Sequence, residues 1–101
     1  LPQFQWHDCR KHRLPVVKIP VSSNKSQIGH TLGASAAIEA ALGIESMQQE
    51  VVLPTVNHIP DPELADVDVG PHEARGHTHE FFLSNAFGFG GTNCCIVFRG
   101  V

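Results

Sequence analysis

Along the chain, apolar positions gather into short extended runs and one long helical stretch. Leu14 to Ser22, LPVVKIPVS, reads as a strand. Val16, Val17, Ile19 and Val21 favour extended structure, and Pro15 and Pro20 mark its ends or an irregular edge. Ser22, Ser23 and Asn24 then supply turn and cap residues. Asn24 to Gln49 opens as a polar, glycine-containing turn and continues as a helix from about Thr31 to Met47, fraying near Gln48–Glu50. Ala34, Ala36, Ala37, Ala40 and Ala41 are strong helix formers, while Leu32, Ile38, Leu42, Ile44 and Met47 supply bulk. Apolar residues fall on nearly every face up to Glu45, the pattern of a helix buried in the middle of a domain. Gly29, Gly33, Ser35, Ala36 and Gly43 predict tight packing of that helix against a second one.

Val51 to Val56 is extended again, with Pro54 limiting its regularity, and Asn57 to Pro71 reads as a loop whose four acids form a solvated surface. Phe81 to Ala86 and Cys94 to Phe98 are strands. Joined by the glycine-rich turn Phe87–Asn93, they predict an antiparallel hairpin. Cys94 and Cys95 are then alternating strand residues, one facing each way.

A chain of 101 residues is enough for one small domain. Its apolar fraction, 42%, is that of an ordinary globular chain, so disorder is not the default. A formal net charge of -3 gives no basic footprint for nucleic acid. The apolar run of the long helix is too short for a bilayer and contains Glu39, so a membrane is not expected as a partner. Residues 1–13 show no period, hold no signal-peptide core and do not begin with methionine, which suggests a fragment. This segment is left unassigned, and residues 14–101 are taken as one partial domain. Three cysteines make no disulfide framework, which favours a reduced, cytoplasmic setting.

Candidate chemistry sits at the polar entry to the long helix. His30 falls at or just before its first turn, where unpaired backbone N–H groups and the helix dipole favour a neutral ring able to donate to a substrate oxygen. Lys25 pushes the same way if it lies nearby. The bland alternative is a capping histidine beside a surface lysine. The glycine-rich turn lacks phosphate-loop spacing and leads into a strand, so a backbone that presents N–H groups to a developing oxyanion is the other reading. Two histidine groups, His7 with Cys9 and His12, and His72 with His77 and His79, lack a ligand pair at metal spacing, and no metal or cofactor is expected.

Two stretches resemble a known family. Lys25-Ser26-Gln27-Ile28-Gly29-His30-Thr31-Leu32-Gly33-Ala34, running on to Ile38-Glu39-Ala40, is similar to the lysine–histidine segment of beta-ketoacyl-acyl-carrier-protein synthases. Ser84-Asn85-Ala86-Phe87-Gly88-Phe89-Gly90-Gly91-Thr92-Asn93 resembles their glycine-rich C-terminal loop. Pro54-Thr55-Val56-Asn57 and Pro60-Asp61-Pro62-Glu63 match the connecting region, so the resemblance covers about residues 16–100.

The resemblance implies an α/β, thiolase-like fold, of which this chain is the C-terminal half, a mixed sheet with packed helices truncated at its start. It implies a decarboxylative Claisen condensation of an acyl-enzyme with malonyl carrier protein in fatty acid biosynthesis. An acyl carrier protein is the implied partner, and the complete protein is implied to be a homodimer. By the same match, His30 is one of two histidines that stabilise the enolate oxygen, Lys25 supports the site electrostatically, and Glu39 is its carboxylate partner. A simple helical wheel puts His30 and Glu39 on opposite faces, so only the family match supports Glu39. Phe89 matches a phenylalanine that gates the acyl pocket and lends its N–H to an oxyanion hole, among Gly88, Gly90 and Gly91. Asn93 matches a structural asparagine. The family's nucleophilic cysteine and first histidine have no counterpart here, and its usual Ala-Gly is replaced by Ser35-Ala36. The alternatives are a polyketide ketosynthase domain, a catalytically inactive partner subunit that sets chain length, and a small histidine-rich metal-binding module.

Overall fold

The computed structural model describes residues 19–65, 67–70 and 72–101. The first of its two long features is a hairpin. Strands Phe81–Phe87 (β5) and Asn93–Arg99 (β6) pair antiparallel along their whole length, from Phe81 opposite Arg99 to Phe87 opposite Asn93. β5 runs one residue past its predicted end, and β6 runs one residue past its predicted limits at both ends. The alternation that predicted β5 is visible in its burial: Phe82, Ser84 and Ala86 are half-buried, and Phe81, Leu83, Asn85 and Phe87 face out. Its turn closes with Gly88 N–H donating to Thr92 O at 2.7 Å, and Gly90 and Gly91 take φ of 86° and 84°.

The second feature is the helix Ser35–Gln48 (α2), which lies on β5 and on Val51–Val52 (β2). It starts later than predicted. Lys25–Ile28 forms a separate four-residue helix (α1), and a 3-10 turn at Leu32–Ala34 leads into α2. Between them Gly29 takes φ 76°, a conformation open to glycine and costly for other residues, which ends α1 and redirects the chain.

Among the described residues no second long helix packs on α2, and the interior position expected for it is not reached within them. Only Ser35 and Ser46 of α2 are buried, and Ile38 and Ile44 are more than a third exposed. Among the described residues no apolar side chain is buried. The described chain supplies α2 with neighbours on its sheet side, and the other apolar faces have none to meet. The close approach at Gly43 is to a ring rather than to a helix: a Cβ there would stand 2.4 Å from Cε2 of Phe82, which stacks on Phe98 with centroids 4.6 Å apart.

Three short strands complete the frame. Pro20–Val21 (β1) pairs parallel with Asp68–Val69 (β3), and β2 pairs antiparallel with Arg75–Gly76 (β4). Parallel and antiparallel pairing are both present, divided among three two-stranded ladders. Most of the predicted strand 14–22 lies outside the described residues. The predicted loop 57–71 is more structured than expected, holding β3 and a 3-10 turn at Pro62–Leu64 capped by Asp61. Its acids are not all solvated: Arg75 grips both carboxylate oxygens of Asp68, at 2.6 and 3.2 Å, tying β3 to β4. Among the described residues no helix is long and apolar enough to cross a membrane.

Candidate functional site

α1 is too short to hold itself, and its position is set by bonds to a distant segment. Gln27 Nε2 donates to Pro54 O at 2.8 Å, Ser26 Oγ accepts from Val56 N–H at 2.9 Å, and Ser23 N–H donates to Thr55 Oγ1 at 3.0 Å. The Pro54–Val56 segment therefore acts as a strap that fixes Lys25. From there the lysine reaches across to α2 and forms an ion pair with Glu39 Oε1. That oxygen also accepts from Ser35 Oγ, one helical turn earlier, at 2.8 Å. The glutamate side chain is 14% exposed and the lysine side chain 39%.

Burial alone would raise the pKa of Glu39, but the hydrogen bonds from Lys25 and Ser35 outweigh it. The charges of Lys25 and His30 add to them and hold the carboxyl below its ordinary value. The helical wheel failed here because residues 25–39 are not one helix. The break at Gly29 and the 3-10 turn fold α1 back toward the side of α2 that carries Glu39.

His30 is exposed in the link between α1 and the 3-10 turn, five residues before α2 begins. The expected route to a donor ring, the helix dipole, is replaced by a direct bond: Nδ1 accepts from Leu32 N–H at 3.1 Å. A ring nitrogen that accepts carries no proton, so a neutral ring bonded in this way has its hydrogen on Nε2. Leu32 itself takes φ 54°, so the backbone beside His30 is held in a conformation that a leucine rarely adopts. The charge of Lys25 is shared with Glu39 rather than directed at His30 alone.

The glycine-rich turn is not drawn into this group. Phe89 is fully exposed at its tip, and Asn93 opens β6, exposed and opposite Phe87. Lys25 and Glu39 share with Gly43, Phe82 and Asn85 the wall of an open cavity of about 690 Å³ between α2 and β5. His77 and His79 also line it, their rings stacked with centroids 5.6 Å apart. His7, Cys9 and His12 lie outside the described residues. The residue that sequence reading missed is Ser35, counted there only among the small residues that allow a close helix contact. Its spacing of four from Glu39 within a helix was the available signal.

The family described as beta-ketoacyl synthase, C-terminal domain, matches residues 9–58. The 3-oxoacyl-[acyl-carrier-protein] synthase 2 of Vibrio harveyi is 44% identical over 85 residues, covering 83% of this chain and 20% of that protein. The enzyme of the same name from Staphylococcus aureus strain COL is 43% identical over 82 residues, covering 80% of this chain and 20% of its own. Among solved structures, a beta-ketoacyl synthase from Burkholderia phymatum STM815 superposes with a TM-score of 0.77 at 45% identity, over 82% of this chain and 21% of that one. A type II PKS acyl-carrier protein in complex with its ketosynthase bound to the hexaketide gives 0.76 at 36% identity, over 82% and 20%. The chain thus spans about a fifth of the length of the relatives it matches. The α/β, thiolase-like class expected from the sequence is the class of these neighbours.

Proposed function

Because the chain belongs to the beta-ketoacyl synthase family, as a C-terminal part, we propose that it serves a 3-oxoacyl-acyl-carrier-protein synthase of fatty acid elongation. In this reading the C–C bond to the malonyl carboxylate breaks, carbon dioxide leaves, and the electron pair passes into a thioester enolate. The enolate carbon attacks an acyl thioester carried on a cysteine, a new C–C bond forms, and the cysteine thiolate departs. The observation that carries the reading is the state of His30. With Nδ1 occupied by Leu32 N–H, the ring presents Nε2–H to an oxygen on which negative charge develops. Lys25, steadied by Glu39, supplies positive potential beside it without standing as an unpaired charge. Phe89 gates the acyl pocket, and the Gly88–Gly91 backbone supplies N–H groups toward the acyl oxygen, with Asn93 holding the end of the turn.

The cysteine and the first histidine come from outside residues 1–101 in this reading, so these residues alone carry no condensing activity. The partner is an acyl carrier protein bearing acyl or malonyl groups, the complete protein is a homodimer, and its setting is cytoplasmic. The fatty-acid reading is favoured over the polyketide one by the relatives, since the 3-oxoacyl-[acyl-carrier-protein] synthases 2 of Vibrio harveyi and Staphylococcus aureus are 44% and 43% identical, against 36% for the polyketide ketosynthase.

The test is His30→Ala in the natural gene product that carries this sequence. Acyl loading onto the cysteine persists, while malonyl decarboxylation falls on the order of a hundredfold or more, the usual effect of losing one such donor. Near-normal decarboxylation would overturn the assignment.

A further inference from the structure

Ser35 is the first residue of α2 and is 7% exposed, one of the two buried side chains of that helix. A buried hydroxyl is nearly always hydrogen-bonded. The preceding residue, Ala34, occupies the cap position and has no side-chain acceptor to offer. The Ser35 hydroxyl instead donates along the helix to Oε1 of Glu39, the same oxygen that receives the Lys25 ammonium. A glutamate side chain is flexible, and holding one of its oxygens from two directions restricts it to the conformers that meet both donors.

Resting on the reading of Lys25 and His30 given above, we propose that Ser35 is a positioning residue: its hydroxyl fixes the Glu39 carboxylate so that Lys25 stays paired at the entrance to the site, beside His30. The groups that act on the carboxylate come from several elements. Lys25 reaches it from α1, and His30 acts from the link that follows. His77 and His79 line the shared cavity, to which β5 contributes the uncharged Ser84 and Asn85. Removing the hydroxyl leaves Lys25 as the carboxylate's side-chain hydrogen-bond donor. Glu39 then takes up a proton at higher pH than before, and Lys25 gains freedom to leave its place.

The experiment compares the natural gene product with Ser35→Ala and Ser35→Thr, following the Glu39 carboxyl carbon by NMR, with Glu39→Gln to identify its signal. Alanine is the better helix former, so Ser35→Ala keeps α2 intact, and circular dichroism verifies it. The titration of Glu39 moves to higher pH in Ser35→Ala and returns in Ser35→Thr, which keeps the hydroxyl. Malonyl decarboxylation in Ser35→Ala falls on the order of tenfold in kcat, as for loss of one hydrogen bond. KM changes little, and the acid limb of the pH profile moves in the same direction as the carboxyl. An unmoved Glu39 titration in Ser35→Ala overturns the proposal, whatever the activity does. A titration that moves while decarboxylation is unchanged at every pH also overturns Ser35 as a positioning residue. The catalytic reading is judged separately, by whether His30→Ala loses malonyl decarboxylation.

Discussion

Replacing Gly43 by alanine tests the one place where α2 comes hard against the sheet. The new Cβ would lie 2.4 Å from Cε2 and 2.7 Å from Cζ of Phe82, where ordinary contact begins at 3.4 Å, so the ring edge must retreat by about 1 Å. Retreat is hindered because Phe82 stacks nearly flat on Phe98, with 7° between the ring planes. Overpacking of this kind costs about 1–3 kcal/mol, and an aromatic pair that must part loses about 0.5–1.5 kcal/mol more. Against this, alanine in a helix interior gains about 1 kcal/mol over glycine. The net expectation is a destabilisation of about 0.5–3.5 kcal/mol, the opposite sign to the ordinary helical substitution. The assay is urea denaturation of the natural gene product: the midpoint falls and the slope is unchanged. Phe82→Leu, which withdraws the ring edge, cancels much of the loss in the double mutant, giving a coupling energy that independent sites would not show. Glu39 lies one turn before Gly43 on the same cavity wall. Displacement of α2 therefore also weakens the Lys25–Glu39 pair, read as a fall in decarboxylation. A Gly43→Ala protein more stable than the natural one would refute the reasoning, because helix propensity would then have gone unopposed.

Phe89→Ala, which removes a fully exposed ring but leaves the backbone N–H, retains a detectable reaction with altered preference among acyl chain lengths. A uniform loss across all lengths with unchanged acyl loading contradicts the gate. The Glu39 carboxyl, held below the value of 4.5 that it has in the unfolded chain, contributes stability in full above that pH and loses it as pH falls through the lower folded value. With Lys25 partly exposed the contribution is about 1 kcal/mol or less. Unfolding free energies of natural and Glu39→Gln protein therefore converge on acidification, and curves that stay parallel would contradict the pairing. Residues 1–101 produced alone, with no apolar side chain buried among those described, bind a hydrophobic dye strongly or aggregate and show no condensing activity. A soluble monomer with a sharp thermal transition and no dye binding would show that this part folds independently.

Local chemistry determined the elements that its periodicities could reach. The alternation of Phe81–Phe87 and Asn93–Arg99 around a turn with Gly90 and Gly91 was legible because strand pairing in a hairpin joins neighbours in sequence. The alanine-rich run made α2 certain in kind, and the lysine–histidine and glycine-rich motifs pointed to the family before any contact was known. What the sequence did not carry was how the pieces meet. A wheel assumes one continuous helix, and the positive φ at Gly29 and the 3-10 turn after it are set by where the chain must go next, so Lys25 and Glu39 met despite the wheel. The Pro54–Val56 strap on α1 joins residues 27 and 30 apart, beyond any local window, and the grip of Arg75 on Asp68, though only seven residues apart, depends on how two separate ladders are placed. Burial is likewise a property of neighbours. An apolar helix is buried only where something covers it, and here the described chain covers one side of α2 and leaves Ser35, of all its residues, deepest at the site.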